Sequence, residues 1–135
     1  MTALPDINTV LTIDDEPVDQ LLYRRIIERS GIAKHVMPFE LAEEALSYLR
    51  TEDRLDIDLV LLDINMPRMS GLEFLEQATD EFGENFSQIM VIMLSTSLDP
   101  EDERKAREYP AVRGYLKKPL TLEKFISQWQ AVHQS

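Results

Sequence analysis

Cysteine is absent from this sequence of 135 residues, and glycine is scarce, with only four. Without cysteine there can be no disulfide and no thiolate metal site, and a reducing cytoplasm is compatible. The scattered glycines do not form a glycine-rich phosphate loop, which disfavours nucleotide binding. No apolar run approaches the ~18 residues of a membrane span, and the N-terminus lacks the basic start and apolar stretch of a signal peptide. We therefore expect a cytoplasmic protein.

Positively charged residues are also few. Lys and Arg total 14 against 25 Asp and Glu, which gives a net charge of -11. Because phosphate backbones and anionic membranes repel such a chain, we expect neither nucleic acid nor membrane as a partner. The apolar share of 44% suits a globular core, and the length suits one domain. We expect residues 1–135 to form that single domain, with a core at about residues 7–129.

Short apolar runs and helical patterns alternate along the chain. The runs predict five strands, at residues 7–13, 36–39, 59–62, 89–94 and 112–116. A helix is predicted after each strand, and the fourth begins at Pro100 behind an Asp99 cap and stops near Pro110. Strict alternation indicates an α/β fold with a parallel sheet and right-handed crossovers. The doubly wound, flavodoxin-like order 2-1-3-4-5 with five helices is the commonest small solution.

Polar residues follow four of the predicted strands, where ligands bind in such folds. They are Asp14 and Asp15 after the first strand, Asp63 after the third, Ser95 and Thr96 after the fourth, and Lys118 after the fifth. Three neighbouring carboxylates repel one another unless a cation intervenes. Mg²⁺ binds through few carboxylates, several waters and a substrate phosphate. Asp15, Asp63, a backbone carbonyl and water would suit it.

The same residues could carry phosphoryl transfer. Asp63 could act as the nucleophile, since carboxylates form aspartyl phosphates. Lys118 would help to neutralise the charge on the phosphoryl oxygens, and Ser95 could donate a hydrogen bond to one of them. Each residue alone also has an ordinary explanation as a cap or a surface charge. Their convergence at one sheet edge favours the site.

Five stretches of the chain together resemble the response-regulator receiver family of two-component signalling. They are TIDDE at 12–16, LLDINMP at 61–67, SG at 70–71, LST at 94–96 and YLKKP at 115–119. The resemblance implies that a histidine kinase phosphorylates Asp63. It implies a Mg²⁺ site formed by Asp14 through water, Asp15, Asp63 and the Asn65 backbone carbonyl. By the same matching, the Lys118–Pro119 peptide bond would be cis.

The resemblance also assigns roles around the phosphoryl group. Ser95, Thr96 and Lys118 would contact it. Ser95 and Tyr115 would form a switch pair, in which the hydroxyl moves toward the phosphoryl group and the ring turns inward. Asn65 and Ser97 match positions that tune how long the phosphoryl group lasts.

These expectations describe a stand-alone receiver without an output domain, a monomer or weak homodimer that is not a turnover enzyme. It would transfer and slowly hydrolyse its own phosphoryl group and signal to an unknown partner through the fourth helix, last strand and last helix. One alternative is an Asp-nucleophile phosphatase, but Asn65 stands where such enzymes carry a second Asp, and an amide cannot exchange that proton. The other is a structural module that never uses phosphate, which the intact set of Asp15, Asp63, Ser95 and Lys118 disfavours.

Overall fold

The structure, a computed structural model, describes residues 7–134, with side chains up to residue 131. Five parallel strands form one sheet in the order β2-β1-β3-β4-β5. The strands are β1 (Ile7–Ile13), β2 (Ala33–Phe39), β3 (Leu59–Asp63), β4 (Met90–Ser95) and β5 (Val112–Lys117). The helices are α1 (Pro17–Ser30), α2 (Ala42–Leu49), α3 (Gly71–Phe82), α4 (Glu84–Ser87), α5 (Pro100–Ala106) and α6 (Leu122–Gln134). The predicted doubly wound fold and strand order are confirmed.

The helix count differs from the prediction by one. Within residues 7–134 there are six helices, because α4 forms a single turn after Gly83. One turn is too short to show a helical period in the sequence. Its Phe86 is buried and packs edge-on against Phe74, with ring centroids 6.1 Å apart. The helix predicted as the fourth is therefore α5.

Helices cover both faces of the sheet. On one face, α1 and α6 bury Tyr23, Ile27, Phe125 and Trp129 against β1, β3 and β4. On the other face, α2, α3, α4 and α5 pack against the same strands. Coverage on both sides explains the continuous apolar runs of β3 and β4, whose residues are all buried. None of the helices within the described residues is long and apolar enough to cross a bilayer.

The apolar pattern of α1 matches its buried face only in part. Val18, Leu21 and Ile26 fit the helical spacing, but Val18 and Leu21 are 76% and 49% exposed, whereas Ile26 is buried. The buried residues of this helix are Tyr23, Ile26 and Ile27. The apolar pattern did not include Tyr23, whose phenol has a polar tip that needs a partner the sequence does not display.

The strand register brings the carboxyl ends together. Ile13 lies opposite Leu62 in β3, so Asp14 follows beside Asp63. Ser95 lies opposite Lys117, and the Lys118 amide donates to the Ser95 carbonyl at 2.7 Å. The fold therefore carries all of the polar residues predicted for the strand ends to one edge of the sheet.

Candidate functional site

Three acidic residues form a cluster at this edge. Carboxylate oxygens of Asp14, Asp15 and Asp63 all lie within 4.8 Å of one another. Asp14 and Asp63 are buried, whereas Asp15 is half-buried. Hard oxygen donors from few side chains, open to water on one side, fit Mg²⁺. The cluster predicted from the strand order is present and suits that ion.

Asp14 is held by donors on both of its carboxylate oxygens. Its Oδ1 accepts from the Glu16 backbone N–H at 3.0 Å. Its Oδ2 accepts from the Tyr23 hydroxyl at 2.6 Å and from Lys118 Nζ at 2.8 Å. Three donors satisfy the oxygens of this buried carboxylate. The hydrogen bonds therefore fix the position of the Asp14 side chain in the site.

Asp63 is the buried carboxylate with the weakest pairing in the cluster. It is 5% exposed, and its Oδ1 lies 3.3 Å from Lys118 Nζ. Burial and the charge of Asp14 raise the pKa of Asp63 to about 6, although Lys118 and the Asn65 backbone N–H act in the opposite direction. A nearby divalent cation would favour its charged form. At neutral pH this carboxylate is ionised, and burial together with the charge of Asp14 makes its ionised form unfavourable.

Lys118 lies among three carboxylates. Its Nζ donates to Asp14 at 2.8 Å and to Asp19 at 2.9 Å, in addition to the longer contact with Asp63. Burial lowers the pKa of Lys118, but the hydrogen bonds to Asp14 and Asp19 outweigh burial and raise it above its ordinary value. The ammonium is charged at every pH at which the protein would work. Its peptide bond to Pro119 is cis, as the resemblance implied.

The Ser95 hydroxyl at the end of β4 hydrogen-bonds to Ser97 and not to Asp63. Ser95 is buried, and its Oγ donates to the Ser97 carbonyl at 2.5 Å and accepts from the Ser97 N–H at 3.2 Å. Thr96 and Ser97 are exposed. The Tyr115 ring is buried already, and among the described residues its hydroxyl has no hydrogen-bond partner. Burial raises the pKa of Tyr115.

The loop between β3 and α3 depends on a glycine. A Cβ on Gly71 would lie 2.5 Å from the Asp63 carbonyl oxygen and 2.9 Å from the Ile64 Cα, so no side chain fits there. The Gly71 N–H donates to the Ile64 carbonyl at 2.9 Å. Ser70 and Glu73 close a capping box at the start of α3. This tight loop keeps the exposed Asn65 close to Asp63.

Three functional neighbours in α1 escaped the sequence analysis: Asp19, Gln20 and Tyr23. An acid in the first turn of a helix is ordinarily explained by the helix dipole, so Asp19 gave no distinct signal. The Gln20 amide lies within hydrogen-bond distance of the Thr12, Asp14 and Phe39 carbonyls, at 3.0, 3.0 and 2.9 Å. It joins the ends of β1 and β2 to α1. The spacing of four between Asp19 and Tyr23, which places them on one helix face, was the available hint.

Tyr23→Phe is expected to lower the free energy of unfolding by about 2 kcal/mol, because a buried charged acceptor loses one donor. Burial and the hydrogen bond to Asp14 raise the pKa of Tyr23 far above its usual range, so the hydroxyl remains a donor throughout. Urea denaturation measures the loss. Tyr48→Phe is the control, since its hydroxyl accepts an exposed hydrogen bond from the Leu55 N–H and should cost less. Equal losses in the two variants would contradict the role of the Asp14 contact.

Together, fold and site define an α/β domain with an acidic cluster that suits a cation, and with a lysine side chain only 11% exposed, at the carboxyl edge of its sheet. The family model of the response regulator receiver domain matches residues 10–130. The chain belongs to the response regulator receiver domain family.

Similar proteins come from bacteria and plants. The chain is 30% identical over 117 residues to the sensory/regulatory protein RpfC of Xanthomonas campestris, covering 87% of the chain and 15% of that protein. It is 33% identical over 123 residues to the two-component response regulator ARR10 of Arabidopsis thaliana, covering 91% of the chain and 21% of that protein. The chain thus spans about a fifth or less of the length of these two relatives. A crystal structure of a two-component response regulator from Cytophaga hutchinsonii matches with a TM-score of 0.83 at 26% identity, over 96% of this chain and 99% of that one.

Proposed function

We propose that this protein accepts a phosphoryl group from a histidine kinase on Asp63 in a Mg²⁺-dependent reaction, and then signals to a partner protein. The observation that carries the proposal is the placement of Asp63. It is buried with its oxygens within 4.8 Å of those of Asp14 and Asp15, and 3.3 Å from Lys118 Nζ. Its pKa of about 6 leaves it ionised and nucleophilic at neutral pH.

In the proposed reaction, an Asp63 oxygen bonds to the phosphorus of the donor. The bond from phosphorus to the donor breaks, and the donor imidazole, or acetate from acetyl phosphate, leaves with the electron pair. Lys118 stabilises the charge on the phosphoryl oxygens. Asp15, Asp63 and the Asn65 carbonyl would hold Mg²⁺, with Asp14 acting through water. When bound, this ion neutralises charge on the phosphoryl oxygens.

The signal in this proposal is a rearrangement at the end of β4. Ser95 Oγ would leave the Ser97 carbonyl and donate to a phosphoryl oxygen, while Tyr115 keeps its ring in the buried position. Thr96 would also contact the phosphoryl group. Asn65 and Ser97, both exposed at the mouth of the site, would set how fast water removes the phosphoryl group.

Two surfaces suit the proposed partners. Val18 and Leu21 are exposed on α1 directly after the acidic cluster, where a kinase must approach Asp63. The downstream protein would bind α5, β5 and α6. Several charges in α5 and just after it pair with one another, and Ala106 is the buried residue of the helix. The pairs are Arg104 with Glu101 and Glu108, and Arg107 with Glu103. A helix with so little buried apolar surface can shift at low cost.

The proposal treats residues 1–135 as a single receiver domain, a monomer or weak homodimer in the cytoplasm. It makes and hydrolyses its own aspartyl phosphate but does not turn over a separate substrate.

Incubation with acetyl phosphate and Mg²⁺ tests the proposal. Intact-mass spectrometry is expected to find one added phosphoryl group per chain. Because Mg²⁺ neutralises charge in the transition state, the same incubation with EDTA should leave the mass unchanged. Wild-type protein that gains no phosphoryl group with Mg²⁺, or gains it equally with EDTA, would contradict the proposal.

A further inference from the structure

Asp19 is the acidic neighbour of Lys118 that the proposed function leaves without a role. It lies in the first turn of α1, and its Oδ2 accepts from Lys118 Nζ at 2.9 Å. Its side chain is 31% exposed, while that of Lys118 is only 11% exposed. Asp19 therefore reaches in from the solvent side to a lysine that is otherwise enclosed by the site.

The position of the Lys118 ammonium depends on a competition between two carboxylates. Its third partner, Asp14, cannot move with it, because Asp14 is fully buried and held by the Tyr23 hydroxyl and the Glu16 N–H. Lys118 can then pivot about Asp14 toward Asp19 or toward Asp63. The contact with Asp19 is 2.9 Å and the contact with Asp63 is 3.3 Å, so the ammonium lies on the α1 side.

We propose that Asp19 is a positioning residue that holds Lys118 toward α1 and competes with Asp63, and later with its phosphoryl group, for the same ammonium. This inference rests on the proposed phosphorylation of Asp63. Transfer of a phosphoryl group would draw Lys118 away from Asp19, so Asp19 slows the reaction. Its negative charge also attracts a divalent cation to the neighbouring cluster, so Asp19 strengthens Mg²⁺ binding.

Removing the charge of Asp19 should therefore weaken Mg²⁺ binding but speed phosphoryl transfer. Asp19→Asn keeps the size of the side chain and removes one unit charge several ångströms from the cluster. Mg²⁺ affinity should fall about threefold, a size expected for one charge in a partly solvated site. Labelling by acetyl phosphate at saturating Mg²⁺ should become about threefold faster, because Lys118 is released to Asp63 and a negative donor meets less repulsion.

A purely structural role for Asp19 predicts a different pattern. As an acid in the first turn, it also stabilises the N-terminus of α1 through the helix dipole. Asp102 in α5 is a matched control, since each helix starts with Pro and has Asp as its third residue. Asp102→Asn removes the same helix-dipole contribution away from the acidic cluster. It should change neither Mg²⁺ affinity nor the labelling rate.

The experiment uses three measurements on the wild type and both variants. Calorimetric titration gives the Mg²⁺ dissociation constant, intact-mass time courses at saturating Mg²⁺ give the labelling rate, and NMR of lysine ammonium groups reports Lys118 without metal or donor. Lys118→Arg assigns the Lys118 ammonium signal. We expect Asp19→Asn alone to shift that signal, weaken Mg²⁺ binding and speed labelling.

An unshifted Lys118 signal in Asp19→Asn, or a change of affinity and labelling rate in the same direction, would overturn the inference. Equal effects of Asp102→Asn would overturn it as well. If the wild type is not labelled at all, the proposed function fails. The ammonium signal and the Mg²⁺ affinity then still decide whether Asp19 positions Lys118, because neither needs a phosphoryl donor.

Discussion

Asp63→Asn is expected to take up no phosphoryl group from acetyl phosphate and Mg²⁺ under conditions that label the wild type fully. The amide has the shape of the carboxyl group but is not a nucleophile toward phosphorus at neutral pH. Asp14 and Asp15 remain, but Asp14 accepts from three donors, and among the described residues the ion pairs of Lys118 are with Asp14, Asp19 and Asp63, not with Asp15. Intact-mass spectrometry over the wild-type time course measures the loss.

The same substitution should stabilise the metal-free protein at neutral pH. Burial and the charge of Asp14 raise the pKa of Asp63 from 3.8 to about 6, so its ionised form costs folding energy. A carboxyl whose pKa is higher in the folded state destabilises the fold above its unfolded pKa. The cost is absent below about pH 4, grows to about pH 6 and then stays constant. We expect the free energy of unfolding of Asp63→Asn to be about 2 kcal/mol higher than that of the wild type at pH 7.5. This is less than the energy equivalent of the full pKa shift, because the contact with Lys118 is lost.

Urea denaturation in EDTA at pH 7.5 and pH 4.5 measures this gain, which should fall to about a third of its neutral-pH value at the lower pH. Asp53→Asn is the control, since Asp53 is an exposed residue of the loop that precedes β3, at the opposite end of that strand from Asp63, and the stability of this variant should not change. Full labelling of Asp63→Asn would refute Asp63 as the acceptor. If Asp63→Asn lowered the free energy of unfolding at neutral pH, it would refute the inference that ionised Asp63 destabilises the fold.

Lys118→Met is expected to lower the free energy of unfolding by about 3 kcal/mol at pH 7.5 in EDTA. Methionine keeps the apolar stem but removes the cation that pairs with Asp14, Asp19 and Asp63. Removal of one partner leaves buried carboxylates without compensation, which costs several kcal/mol. Because the pKa of Lys118 is raised in the folded state, titration of the lysine itself does not weaken this pairing at pH 7.5, which lies below the unfolded lysine pKa.

The loss in Lys118→Met should shrink with acid and with Mg²⁺. Lys118 lowers the pKa of Asp63, so without it that carboxyl protonates at a higher pH and relieves part of the repulsion near pH 5. Millimolar Mg²⁺ supplies positive charge to the same cluster. Urea denaturation at pH 7.5 and pH 5, with and without Mg²⁺, measures both effects. Lys117→Met is the control at an exposed neighbour, and an equally large loss there would mean that the three carboxylates are not the cause.

Much of the fold could be predicted because the sheet is covered on both faces. Fully buried strands such as β3 and β4 appear in the sequence as uninterrupted apolar runs bounded by polar residues. The alternation of such runs with helical patterns leaves few topologies. The pattern failed for α4, which is one turn long, and in part for the face of α1, where Val18 and Leu21 are exposed and Tyr23 is buried. Short elements and amphipathic residues carry weak periodic signals.

For the candidate site, too, the sequence predicts some of the residues and not others. The sequence places five of the site residues together because each lies at or just past the carboxyl end of a parallel strand: Asp14, Asp15, Asp63, Ser95 and Lys118. Asp19 and Tyr23 could not, because their contacts depend on how α1 is rotated against β1. The present orientation of Ser95 toward Ser97 was also beyond the sequence, since a hydroxyl can serve several partners at similar cost.

The sequence by itself determined the fold, the family and the carboxylates that come together, because strand order and the positions of polar residues after apolar runs are properties of the chain. Only the tertiary structure decided which carboxylate is destabilised in its ionised form and which carboxylates pair with Lys118. Asp14 accepts from three donors, whereas Asp63 has Lys118 at 3.3 Å and the negative charge of Asp14 beside it. Those differences arise from distances of a few tenths of an ångström and from burial, and both are set by how α1 and the strand ends pack in three dimensions.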